Sequence, residues 1–209
     1  MTFHLPTPRM LTAAAAALLL SAPAHADPTD FAGFHIGLGL GAANIDAGRR
    51  EGDFDDNSYV SGRVTEIAAG YSYAVASDFV LGAEVEARQL SRLDDAAFDS
   101  KNVWSVDETD IFSLRAMIGH AGADSLAYMA LGYESWELGY FDGIDGSDGT
   151  ETLTGTSVAL GFEYLVAARH GVGVELKRTD FDRSEEIGPF SVSVAPKVVD
   201  MSLNYRFRF

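Results

Sequence analysis

Residues 198–209 read VVDMSLNYRFRF. Val199, Met201, Leu203, Tyr205, Phe207 and Phe209 fall on one face of that stretch, and Asp200, Ser202, Asn204, Arg206 and Arg208 on the other. A period of two belongs to the β-strand, whose successive side chains point to opposite sides. One side is entirely apolar and ends in three aromatic rings, while the other is polar and charged.

The same alternation occurs seven times upstream. In residues 34–42, Phe34, Ile36, Leu38 and Leu40 oppose His35, Gly37, Gly39 and Gly41. In residues 79–90, Leu81, Ala83, Val85 and Ala87 oppose Gly82, Glu84, Glu86 and Arg88. Residues 63–73, 112–119, 127–134, 157–164 and 172–177 repeat it. These are eight expected strands of roughly nine to twelve residues, about the length a tilted strand needs to cross a bilayer. In each, the charged residues share a face with Gly, Ala and Ser.

Parity alone does not say which face is inside, but two further features do. The expected connections alternate between short (74–78, 121–124, 166–170) and long (46–58, 91–108, 138–151, 181–190), as in outer-membrane barrels with short periplasmic turns and longer external loops. With the first strand starting in the periplasm, Phe34, Tyr71, Tyr73, Phe79, Phe162, Tyr164, Phe207 and Phe209 all fall at the periplasmic ends of their strands on the apolar face. A ring of outward aromatics at one height is an interfacial girdle. The expected fold is all-β: an eight-stranded antiparallel, up-and-down transmembrane β-barrel with short periplasmic turns and long external loops.

Residues 1–26 read as a signal peptide. Arg9 is their one charged residue, residues 11–20 (LTAAAAALLL) form a short apolar core, and Ala24-His25-Ala26 fits a cleavage site. The apolar run is too short for a spanning helix, which needs about 20 residues. The barrel domain is therefore expected to cover residues 27–209, in the outer membrane of a Gram-negative bacterium, with cleavage after Ala26. The chain has no cysteine, which excludes a disulfide framework and a lipid-modified cysteine.

The formal charge is −16, the wrong sign for binding nucleic-acid phosphates. Most of it sits in the four long connections, which with Glu137 and Asp180 hold 19 acidic and five basic residues. Such segments are read first as solvated surface.

Residues 157–181 (SVALGFEYLVAARHGVGVELKRTDF) resemble the strand–turn–strand of small bacterial outer-membrane proteins with an OmpA-like β-barrel domain, a porin-family group. The resemblance is carried by Gly161, Glu163, Tyr164, Glu175, Asp180 and Phe181, and by a closing strand similar to the group's Tyr-x-Phe ending. Here Arg208 and Phe209 extend past Tyr205-Arg206-Phe207, and Leu176-Lys177-Arg178 stands where the group more often has an aromatic and an arginine. The resemblance implies delivery by periplasmic chaperones and folding by the barrel-assembly machinery, with Tyr205, Phe207 and Phe209 as the C-terminal assembly signal. The chain stops at Phe209, so no peptidoglycan-binding domain is expected to follow.

The inward face gathers Glu66, Glu84, Glu86, Glu134, Glu163, Glu175 and Asp200 with Arg88, Arg115, Lys177, Arg206 and Arg208. An eight-stranded barrel is just wide enough for its side chains to fill, and buried charges there must be paired. A salt-bridged core that plugs the lumen is one reading, and a narrow gated conduit for ions is the other.

Catalysis has little to stand on. His35, His120 and His170 lack the His-x-Ser element of lipid A deacylases, so a lipid A-modifying enzyme is the weakest alternative. No cofactor is expected. Asp142, Asp145, Asp148 and Glu151 do not match the spacing of a calcium loop; loose divalent-cation binding that bridges to lipopolysaccharide phosphates is the alternative for this run. Phe98, Trp104, Trp136, Tyr140 and Phe141 are read as an outer aromatic belt, or else as anchors for a protein partner. The expected role is structural or surface-interacting, without catalytic activity. Its partners are outer-membrane lipid and lipopolysaccharide, with any external partner unspecified and nucleic acid excluded.

Overall fold

The computed structural model describes residues 28–46, 49–51, 54–56, 59–75, 78–91, 108–141, 148–182, 192–193 and 195–209. The expected signal peptide lies outside them, as do Phe98, Trp104, Asp142 and Asp145. In chain order the elements are a 3-10 turn, η1 (Pro28–Phe31), and the strands β1 (Gly33–Asp46), β2 (Arg49–Glu51), β3 (Phe54–Asp56), β4 (Tyr59–Ala74), β5 (Phe79–Ser91), β6 (Glu108–Ala121), β7 (Ser125–Phe141), β8 (Asp148–Ala167), β9 (His170–Phe181), β10 (Val192–Ser193) and β11 (Lys197–Arg208).

Eight of these close into an antiparallel barrel in the order β1-β11-β9-β8-β7-β6-β5-β4. Neighbours in sequence are neighbours in space, and the seam is β1 against β11, in register from His35↔Arg208 to Asp46↔Lys197. Closure removes the open edge that would otherwise leave backbone N–H and C=O groups unpaired in lipid. Gly33 opens β1 at φ 109°, a conformation in which a Cβ is strained.

The expected faces are the observed ones through the middle of every strand. Phe34, Leu38 and Leu40 point outward and are about two-thirds exposed, while His35 behind them is buried. The short-turn rim carries the aromatic girdle: Phe34 packs edge-on to Tyr71 at 4.8 Å, Phe79 on His120 at 5.3 Å, and His170 on Phe207 at 5.2 Å.

Three features differ from the sequence reading. The strands run to 20 residues in β8, because the alternation continues beyond the segments that look most apolar. The expected 138–151 connection is mostly ladder: pairing persists from Leu138↔Glu151 to Phe141↔Asp148, so Asp148 and Glu151 are strand residues. β2 and β3 of the first long connection and β10, just past the last one, form a separate three-stranded sheet in the order β10-β2-β3.

The extra strand length also reverses the polarity. At the long-connection rim, the outward positions become polar: Ser61, Arg63, Gln89, Asp110, Glu137 and Lys197. The inward ones become apolar: Ala43, Ile45, Val64, Leu90, Ile111, Trp136, Leu153, Phe181 and Val198 form one buried cluster. Every barrel strand contributes to it. This is the pattern of a water-soluble barrel, stacked on the pattern of a membrane one.

Candidate functional site in the barrel lumen

The lumen is layered. Long side chains lie over glycines of the adjacent strand: a Cβ added at Gly39 would collide with Glu66, one at Gly161 with Tyr128, and one at Gly171 with Glu163. Small inward residues therefore make room for the long polar side chains that fill the bore.

Nearest the short-turn rim, Glu163 accepts from Arg208 Nη2 at 2.9 Å and from Arg206 Nη1 at 3.1 Å. Arg206 also lies 3.3 Å from Glu84, which is bonded to His35 Nε2 at 2.9 Å and accepts from Arg115 Nε at 2.9 Å. Arg115 then reaches Glu175 at 2.6 Å and Glu86 at 3.1 Å. Lys177 pairs with Glu86 and lies 3.5 Å from Glu175. Farther along, Arg88 spans Glu86 at 3.0 Å, Glu134 at 2.7 Å and Asp200 at 2.7 Å.

Eleven of the twelve residues read as an inward network thus form one chain of ion pairs with side chains nearly inaccessible to solvent. Glu66 differs. It accepts from Ser202 Oγ at 3.4 Å, and the Asn204 amide, with its nitrogen turned toward the carboxylate, donates to it. Glu66 makes no ion pair among the described residues.

Several members were not singled out in the sequence. Tyr128 is 3 % exposed and donates its hydroxyl to Glu175 at 2.7 Å, with the Arg206 guanidinium 5.0 Å from its ring centre. It sits on the inward parity of its segment, which was the available signal. Phe31 is wholly buried beneath Arg208, whose guanidinium lies 5.2 Å from the ring. Nothing in the alternation could have found Phe31, because it precedes the first strand.

Apolar layers close both ends of the charged section. Toward the short turns, Phe31, Val80, Ala121, Leu126 and Tyr128 form one buried cluster, with Met117 and Leu165 packed on it. Toward the long connections stands the polarity-reversed cluster, where Trp136 is tilted against Phe181 at 5.0 Å and bonds to Thr109. This corrects the reading of Trp136 as a belt residue: it is 3 % exposed and points inward. The indole packs with eight other apolar side chains across the bore, and its N–H finds a partner there, as buried tryptophans require. Tyr140 and Phe141 lie on β7.

His120 and His170 belong to the short-turn rim, and His170 Nδ1 bonds to the Tyr205 hydroxyl at 2.6 Å. No group of three His, Asp or Glu able to hold a metal occurs among the described residues.

The sequence matches the family described as Outer membrane protein beta-barrel domain over residues 12–207. No curated protein matches it. Among solved structures, Neisserial surface protein A superposes with a TM-score of 0.54 at 15% identity, covering 84% of this chain and 97% of that one. Ail, the attachment invasion locus protein of Yersinia pestis, follows with a TM-score of 0.44 at 13% identity, covering 83% and 99%. The N-terminal β-barrel domain of Pseudomonas aeruginosa OprF gives 0.42 at 11% identity, covering 82% and 97%. At these identities the likeness is one of fold.

Proposed function

From the premise that this chain belongs to the outer membrane protein beta-barrel domain family, we propose a non-conducting, non-catalytic integral protein of the Gram-negative outer membrane that works through its outer surface. The observation that carries this reading is the three-layered lumen, with an ion-paired middle between two apolar seals. An aqueous pore needs a continuous wet path, and each seal takes away the polar surface such a path would wet. Ion pairs buried this far from water are strongly destabilising to break singly, so the middle layer acts as a fixed plug that also holds strand register.

In this reading the short turns and both barrel termini face the periplasm, and the acidic connections face the exterior. The signal peptide is cleaved after Ala26, and Tyr205, Phe207 and Phe209 form the segment read by the assembly machinery after periplasmic chaperones deliver the chain. Outer-membrane lipid and lipopolysaccharide surround the apolar belt.

A gated conduit is the second reading, favoured by the unbroken charge line from Arg208 to Asp200. Planar-bilayer recording separates the two. Purified barrel is expected to give no unitary steps, and the Trp136→Ala and Phe31→Ala variants are expected to stay silent, because each leaves the charged layer and one seal intact. Stable steps in the unmodified protein, shifted in size by Glu84→Gln or Arg115→Gln, would establish conduction instead.

A further inference from the structure

The outer wall of the barrel is not evenly clad. On β1 the outward side chains at mid-height are Ile36, Leu38 and Leu40, but on β5 they are Ala83, Val85 and Ala87. Ala69 of β4 stands beside Val85. The short side chains leave a groove of about 520 Å³ along β5, walled by Ile67 on β4 and by Phe112 and Tyr133 on β6 and β7. It continues past Ala87 into a second hollow of about 370 Å³ that ends at Thr65, Gln89 and Asp110.

The groove therefore has a direction. Its apolar part lies in the lipid belt, and its polar end lies at the long-connection rim, where Gln89 Nε2 donates to Asp110 Oδ1 at 3.5 Å. Two residues beyond Thr65 on the same outward face, Arg63 is exposed. The order along the wall is hydrocarbon trough, hydrogen-bonding pair, then cation. An amphiphile that satisfies all three has an acyl chain, a hydroxyl or amide N–H near its head end, and an anionic phosphate beyond.

We propose that this groove binds one acyl chain of a phosphorylated, hydroxyacylated glycolipid of the outer leaflet, the lipid portion of lipopolysaccharide. The site rests on the orientation given above, with the long connections outside. Its width supports a single chain. Ile67 and Phe112 flank Ala87 on the strands either side of β5, so their backbones are roughly 10 Å apart. A chain lying between them touches protein on three sides rather than one, and dispersion contacts accumulate accordingly. A second copy of this barrel is convex and would bridge the walls without filling the trough. Asp110 accepts a hydrogen bond from a hydroxyl or amide but repels a phosphate at its own level, which sets the tail-down, head-up placement.

The test is native mass spectrometry of the full mature protein in detergent, titrated with purified lipid A or with phosphatidylethanolamine. Ala87→Phe fills the trough, and Ala87→Leu is a milder variant should the first fold poorly. Val174→Phe on β9, four strands from β5 in either direction, is the control on the opposite side of the barrel, and an unheated SDS gel verifies that each variant is a folded barrel. One lipid A per barrel is expected, bound about tenfold more weakly by either Ala87 variant and unchanged by Val174→Phe, with Arg63→Gln also weakening it. Retention of lipid A by both Ala87 variants, equal binding of phosphatidylethanolamine, or a dimer that Ala87→Phe dissociates would each overturn the proposal. Bilayer conductance is a separate measurement, so a failed plug reading is not confused with a failed lipid site.

Discussion

Arg88 and Arg178 both hold carboxylates, and their surroundings make them opposite cases. The Arg88 side chain is 0% exposed, with Glu86, Glu134 and Asp200 on its three nitrogens. Removing it leaves three buried anions around an empty site, and breaking a buried pair typically costs about 3–5 kcal/mol. Arg88→Met is therefore expected to lower the urea midpoint of the folded barrel strongly. A triple variant that also neutralises Glu134 and Asp200 should recover part of the loss, because the penalty lies in the orphaned charges. Arg178 is 54% exposed and forks onto Asp180 with two bonds of 2.8 Å. Its hydrogen bonds hold the Asp180 carboxyl below the ordinary carboxylate range. A lowered folded value means the pair's contribution is present above the unfolded pKa of about 3.9 and is lost as pH falls through the folded value. Solvent screening keeps that contribution to about 0–1 kcal/mol. Arg178→Ala should leave the midpoint at pH 7 within that margin and slightly flatten the loss of stability between pH 5 and 3, roughly the range of the unfolded pKa.

Among the elements, β7 shows best what the sequence disclosed and what it hid. Met129, Leu131 and Tyr133 were legible as its lipid face, because a bilayer demands an unbroken apolar row and the alternation supplies one. Trp136 was not, since it follows Glu134 on the inward parity and lies beside an acidic connection, where an aromatic looks like belt or bait. The parity held the answer. Counted onward by twos from the charged face, Ala43, Leu90, Ile111, Trp136, Leu153, Phe181 and Val198 all fall inward. What hides them is the reversal of polarity where the barrel leaves lipid for water, since from there the burial rule is that of a soluble protein. Pairings across distant segments, such as Arg88 with Asp200 or Arg206 with Glu163, were beyond any local pattern, because they depend on side-chain reach across the closed bore. The upper seal has a direct check. In a Trp104→Phe background, which isolates Trp136, emission should be blue-shifted and resist acrylamide and iodide. Trp136→Ala should cost about 3–5 kcal/mol, the usual loss for emptying a buried aromatic site. Red emission with ready quenching would put the indole in water or headgroups and remove the seal.

At the scale of the whole molecule, the seam between β1 and β11 joins two properties of the last strand. Residues 205–208 supply the pairings His35↔Arg208, Ile36↔Phe207, Gly37↔Arg206 and Leu38↔Tyr205, and Arg206 and Arg208 place their guanidinium groups on Glu163. Deleting residues 205–209 therefore strips the edge of β1 and leaves a buried carboxylate without its cations. A barrel that cannot close exposes unpaired backbone to lipid at several kcal/mol per group. The truncated chain is expected to lose heat-modifiable migration on SDS gels even after refolding in detergent. Phe207→Ala with Phe209→Ala is a different case. Phe207 is only partly exposed beside His170, and Phe209 is outward and 67% exposed, so the double variant keeps every backbone pairing and both arginines. It should refold in detergent with the same gel shift as the unmodified protein, yet reach the outer membrane in cells in much smaller amount. Such a split between folding in the tube and assembly in the cell would assign the two rings to recognition and the two arginines to closure. Equal loss in both settings would mean that the rings are needed for the barrel itself.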